Sequence, residues 1–409
     1  MNKTLFLISI FILLTGCSST NLFTSSSKFN IAQCENKNEL SVNCGKAPSS
    51  AFDENGKLWV VYELNDHLYV SSSSDKGLTY SKPAKVNPTP ELIYARGENR
   101  PKIVIGSKGE IYLSWTKNTQ GRYTGDIRFT RSLDQGKTFE EIKTINDDGF
   151  LTSHRFDSLA VTKSGDVFIS WIDKRDNVIA AKKNPNMKRV STAAIYYAIS
   201  SDSGKTFNAN KKLIESSCVC CRIAMTPYQD DSVALSWRHV FEGNIRDHAY
   251  ATINSKGEHS QTIRLSRDDW KIDACPHHGP SMIKDINDEL HVVWFTASDI
   301  RKGIFYGQLD PNSQEPINLK HISALPSAGH PYIESHQDAL FLVWKIFNGE
   351  RTQIMLQKSN DLGVKWTEAK VISETDGESD HPFLLNHRGS IFLAWSTTND
   401  GLKILKVGQ

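Results

Sequence analysis

Bulky apolar residues alternate with small or polar ones over seven short stretches of the chain, and each stretch carries a large aromatic residue near its end. They read GKLWVVYEL at Tyr62, KGEIYLSWT at Trp115, GDVFISWID at Trp171, DSVALSWRH at Trp237, DELHVVWFT at Trp294, ALFLVWKI at Trp344 and GSIFLAWST at Trp395. The alternation suits a strand buried mainly on one face. Ahead of the six tryptophan stretches, across a polar turn, lies a second apolar run: RPKIVIG, RFDSLAVT, CCRIAMT, GPSMI, HPYIE and HPFLL. Anchors that recur about every 50 residues or a little more, one supersecondary unit each, predict a propeller or solenoid.

Between the hairpins a turn motif recurs. Ser73-Ser74-Asp75-Lys76-Gly77-Leu78-Thr79-Tyr80 is matched at Ser132–Phe139 and Ser200–Phe207, and at Ser359–Trp366 without the threonine; SRDDW at Ser266–Trp270 is a shortened form. Asp caps the turn's own backbone N–H groups, Gly supplies positive φ, and the terminal aromatic packs the turn onto the sheet. The pattern resembles the Asp-box (BNR) repeat of sialidase-like β-propellers, over nearly all of the chain beyond its leader. The resemblance implies an all-β propeller of four-stranded blades. Seven units are counted; six is the alternative, since sialidases of that superfamily have six. The last unit, from His381, lacks an outer strand, and the expectation is that the N-terminal segment around Phe29–Val42 lends one and closes the ring.

Composition fits one such ring. The 409 residues carry 48 basic and 46 acidic side chains, which gives no polybasic case for nucleic acid, and aromatics at 10% supply an ample core. Residues 1–16 read as a signal peptide, with Lys3 ahead of LFLISIFILL. Leu14-Thr15-Gly16-Cys17 resembles a bacterial lipobox, which implies lipidation of Cys17, and Ser18 resembles an outer-membrane sorting signal. The expected organisation is 1–16 leader, 17–28 lipidated cysteine and Ser/Thr-rich tether, and 29–409 propeller. The protein is then a monomeric outer-membrane lipoprotein of the cell envelope, facing periplasm or surface, with the membrane as partner through its anchor. Export places the six remaining cysteines in an oxidising compartment, where Cys34 and Cys44 are the expected disulfide.

The loops opposite the Asp-box turns gather the candidate chemistry. Leading into the first strand of successive units are Arg100; His154, Arg155 and Asp157; Cys218, Cys220, Cys221 and Arg222; Asp273, Cys275, His277 and His278; His330; and Asp380 with His381. Leaving the second strand are Asp173 to Asp176, Arg238, His239, Arg246, Asp247, His248, Lys345 and Arg351. Recurrence at one structural position predicts that they converge at the channel mouth. The family resemblance implies a sialidase-like glycoside hydrolase acting on acidic sugars: arginines holding a carboxylate (Arg100, Arg155, Arg222, Arg238, Arg246), an acid/base aspartate (Asp157 or Asp173) and a tyrosine–glutamate nucleophile, for which Tyr332 and Glu334 are the candidates. A second reading is a copper or zinc site built from Cys218, Cys220, Cys221, Cys275, His277, His278, His330 and His381. Its competitor is a pair of disulfides, for example Cys221 with Cys275 and Cys218 with Cys220. A third is a non-catalytic lectin or docking ring using the same arginines with Tyr94 and Phe241.

Overall fold

The computed structural model describes residue 29 and residues 31–36, 39–186, 192–310 and 316–408. The leader, Cys17 and the tether therefore lie outside the described residues. Seven antiparallel sheets form a ring; six have four strands and the last has three. Each sheet runs from the axis outward in chain order. The innermost strands are Lys46–Phe52, Lys102–Ile105, His154–Val161, Ala224–Pro227, Ser281–Lys284, Gly329–His336 and Phe383–His387. Each touches the next, and the seventh touches the first. The count of seven stands.

The aromatic stretches are the second strands. Tyr62 and all six anchor tryptophans are at most 2% exposed. Burial is nevertheless not one-sided: Leu58–Leu64, Val167–Asp173 and Val233–Arg238 are buried along their whole length. The physical reason is stacking, because each blade is sandwiched between two others and even its small or polar positions face a neighbour. Ser114, Ser170 and Ser236, small polar positions within these strands, are fully buried.

The four Asp-box-like turns share one geometry. The serine Oγ accepts from the glycine N–H at 2.7–2.8 Å. One aspartate oxygen accepts the N–H four residues on at 2.8–2.9 Å. The glycines lie at φ between 73° and 90°, where a side chain is strained. In antiparallel blades these turns and the functional loops fall at opposite ends of the ring.

One local expectation is corrected. No N-terminal strand pairs with Gly401–Gly408 among the described residues. Cys34 and Cys44 are disulfide-bonded with Cα atoms 5.3 Å apart, whereas ten residues of strand would span about 33 Å. The segment instead forms short 3-10 helices at Ile31–Glu35 and Val42–Cys44. It covers the last strand by a side chain, Leu402 N–H donating to Asn43 Oδ1 at 3.1 Å, and is tied to the first blade by Tyr62 Oη, which donates to the Leu40 carbonyl at 2.7 Å. The charged run after Trp171 leads into a helix, Arg175–Lys183. No helix of the described residues is long and apolar enough to cross a membrane.

Candidate active site at the channel mouth

Two cavities lie on the axis. A cleft of 790 Å³ opens at the mouth, lined by Tyr94, Tyr123, Arg155, Lys174, Cys275 and His277 among others. A smaller cavity of 230 Å³ lies within the channel, lined by the innermost strands. Gly97, Glu98 and His381 border both, so they form the floor between cleft and channel.

Glu98 is the centre of that floor. Its carboxylate accepts the backbone N–H of Arg222 at 3.0 Å and of Gly279 at 2.9 Å, and the Arg222 guanidinium lies 3.4 Å away. His330 Nδ1 is 3.6 Å distant. Burial works against the charge, but the Arg222 guanidinium outweighs it and holds the carboxyl well below its ordinary range. Above it His278, His330 and His381 stack from three consecutive blades, with ring centroids 4.3 Å and 3.5 Å apart. Burial pushes all three imidazoles down, His278 to about 3. Neutral rings stack without charge repulsion, and Glu98 supplies the negative charge beneath them.

Of the five arginines expected to clamp a carboxylate, three are committed to the scaffold. Arg222 donates to the Pro280 and Pro331 carbonyls at 2.8 and 2.6 Å, tying three blades together. Arg238 donates to the carbonyls of Arg246, His278 and Phe295. Arg100 pairs with Asp380 at 2.7 Å and donates to the Gly97 and Pro48 carbonyls. Arg246 lies beside Cys218, 3.5 Å from its sulfur. Arg155 alone of the five lines the cleft. Its guanidinium carbon is 4.4 Å from the Tyr94 ring and 5.5 Å from that of Tyr123, it makes no ion pair with a carboxylate among the described residues, and its Nε has no hydrogen-bond partner. Burial lowers its pKa, with Tyr94 opposing.

The expected acids lie elsewhere. Asp157 accepts from Ser114 Oγ at 2.6 Å and Thr116 Oγ1 at 3.3 Å inside the blade interface. Asp173 is fully buried and accepts from Trp171 Nε1 and Arg175, in a cluster with Asp148 and His154. Burial opposes the charged form of His154, but Asp148 and Asp173 outweigh it and raise its pKa. Tyr332 and Glu334 do share a face, two residues apart on the sixth innermost strand, but Tyr332 lines the inner cavity rather than the cleft. Burial pushes Tyr332 up to about 12 and Glu334 up to about 7. Cys218, Cys220 and Cys221 are buried free thiols and Cys275 an exposed one.

Sequence reasoning missed Glu98, Arg96, Arg122 and Tyr123. Glu98 occupies the lead-in position that drew attention to the histidines, so recurrence held its signal. Arg122 and Tyr123 sit in a hairpin loop that only the fold brings over the axis. With them the cleft presents Arg96, Arg122, Arg155 and Lys174 against one carboxylate, Glu98.

No protein-family model matches the chain, and no curated protein matches it. Solved structures do. An ulvan lyase described as a new polysaccharide lyase family, PL25, aligns at 13% identity and TM-score 0.55, covering 89% of this chain and 94% of that one. A structure of that kind of enzyme bound to -[GlcA(1-4)Rha3S]- gives 12% and 0.54 over the same shares. The polysaccharide lyase Uly1 gives 12% and 0.51, covering 88% and 90%. At these identities the likeness is one of fold: a seven-bladed propeller similar to polysaccharide-cleaving enzymes.

Proposed function

We infer that the protein acts on an acidic polysaccharide at the mouth cleft, by β-elimination at a uronic acid. The observation that carries this is the charge of the cleft: four basic side chains and an aromatic shelf face one carboxylate, already engaged by Arg222 and Gly279. A sialidase-like hydrolysis, with its acid/base aspartate and tyrosine–glutamate pair, or a two-carboxylate hydrolysis would need acidic groups that the cleft does not offer. Elimination needs instead a cation on the uronate carboxylate, to acidify the neighbouring C–H, and a proton-transfer group. Arg155 is the cation. Tyr94, against its guanidinium, is the group placed to take the C5 proton and return it to the departing C4 oxygen, as the C4–O bond breaks and a C4–C5 double bond forms. Tyr123 offers a ring for sugar stacking. The lipobox-like leader supports action at the bacterial envelope.

The test is incubation with ulvan, alginate and pectate alongside a sialoside panel, following ultraviolet absorbance of the unsaturated uronate and new reducing ends. Absorbance rising with reducing ends supports the reading. Reducing ends or free sialic acid without absorbance make the protein a hydrolase. Binding without any product makes it a glycan-binding ring, and no binding at all ends the assignment.

A further inference from the structure

The lead-ins to the fourth and fifth blades carry a second constellation, independent of the reading above. The turn Cys218-Val219-Cys220-Cys221 folds its three sulfurs inward, Cys218 lying 3.5 Å from Cys220 and 3.6 Å from Cys221. From the next blade Cys275 and His277 approach Cys220, and the donor atoms of these three lie within 4.8 Å of one another. Cys220 thus belongs to two overlapping groups of soft donors, one buried and one open to the cleft.

These separations fit a shared ion. Tetrahedral bonds of about 2.3 Å from a metal to thiolate sulfur place the sulfurs about 3.8 Å apart, whereas a disulfide needs about 2.05 Å. Arg246 is 3% exposed, pairs with no carboxylate among the described residues, and leaves its Nε without a hydrogen-bond partner. Its guanidinium lies 3.5 Å from Cys218 Sγ. A buried guanidinium requires a nearby anion, and a thiolate in this sulfur cluster, at Cys218 against the site, is one.

We propose that Cys220, Cys275 and His277 form a three-donor site for a thiophilic d10 ion, Cu(I) or Zn(II), at the wall of the mouth cleft, with the Cys218 sulfur 3.5 Å behind that of Cys220. Two thiolates and one imidazole are a donor set that Cu(I) accepts as it stands and Zn(II) accepts with an open fourth position. Cys221 stands behind the site, against Cys218. The exposed pair, Cys275 and His277, gives the ion its route in.

The experiment uses the full chain, reduced under argon and titrated separately with Zn(II) and Cu(I) against chromophoric chelators, with metal analysis and a thiol count on the protein as purified. The expected result is one equivalent of one of the two ions, and the titration that succeeds identifies it. Cys275→Ser and His277→Ala, both at exposed positions, should each weaken binding at least ten-fold while circular dichroism stays that of the parent. Cys220→Ser should abolish binding. Stoichiometric uptake of neither ion by the reduced protein overturns the proposal, whether or not the purified thiols are found paired. So does undiminished affinity in both exposed variants, which decide the matter even if the Cys220 variant fails to fold.

Discussion

His330 and His381, supplied by neighbouring blades, lie face to face with ring centroids 3.5 Å apart and 15° between their planes. Two imidazolium rings would not tolerate that approach, and burial keeps both neutral. The stack, together with Glu98, is where the sixth and seventh blades meet the second across the axis. Anything that charges the histidines or discharges Glu98 should loosen the ring.

Acid is therefore expected to destabilise the protein early. The folded chain holds His278, His330 and His381 below the ordinary imidazole range, while the unfolded chain protonates them near 6.5. The unfolded state then binds more protons, and stability falls as pH drops below about 6.5, continuing to about 3 for His278. Each fully responding histidine contributes at most about 1.4 kcal/mol per pH unit. Glu98 acts in the same direction lower down: its stabilisation is complete above its unfolded value of 4.5 and is lost as pH falls through its depressed folded value. Melting curves from pH 8 to pH 4 should show a progressive fall, flatter in His278→Phe. A melting temperature independent of pH across that range contradicts the neutral stack.

Glu98→Gln isolates the floor. The amide keeps one acceptor but loses the charge facing Arg222 and presents an NH2 to the backbone donors of Arg222 and Gly279. Removing one partner of a buried pair costs about 3–5 kcal/mol, read by urea unfolding with an unchanged slope. Gly279→Ala should disturb the same point by sterics alone, since a Cβ there would lie 2.3 Å from Arg222 Cγ. Parent-like midpoints in both variants would remove Glu98 from its structural role.

Asp202→Ala tests the opposite face. Asp202 accepts the Thr206 N–H at 2.8 Å and Thr206 Oγ1 at 2.6 Å, a cap-like arrangement whose loss costs about 1 kcal/mol. Because the turn lies at the far end of the ring, glycan binding or cleavage should be unchanged. A loss of function at parent-like stability would place chemistry on the wrong face.

The blades were legible because a strand pair repeated seven times writes its period into the chain, and each anchor tryptophan marks a second strand. The converging face was legible for the same reason: residues at one position in the repeat, such as Cys220, His330 and His381, must meet at the axis. Partner choice was not. Arg222 and Arg155 look alike in sequence, yet one reaches Pro280 and Pro331 carbonyls while the other lies on Tyr94. Which carbonyl or ring faces a guanidinium depends on blade twist and loop path. The N-terminal segment misled for a related reason: its apolar residues satisfy an edge equally as strand or as 3-10 turn, and the Cys34–Cys44 bridge selects the turn.

That difference between arginines is open to direct measurement. Arg222→Ala strips two carbonyls and Glu98 of their donor and should lower stability by about 3–5 kcal/mol, so any loss of function there is a loss of the ring. Arg155→Ala removes a cation with no carboxylate partner among the described residues, and only its aromatic packing is forfeited, at about 1 kcal/mol. Polyuronate binding and turnover should nevertheless fall by at least a hundred-fold. Arg155→Lys sharpens the contrast: it keeps the charge but not the planar fork or its stacking on Tyr94, and should raise KM more than it lowers kcat. If Arg155→Ala retains function, or loses it only in step with its melting temperature, the anion seat belongs to another of the cleft's basic residues. Arg122, 3.2 Å from the Tyr123 hydroxyl, is then the next to replace.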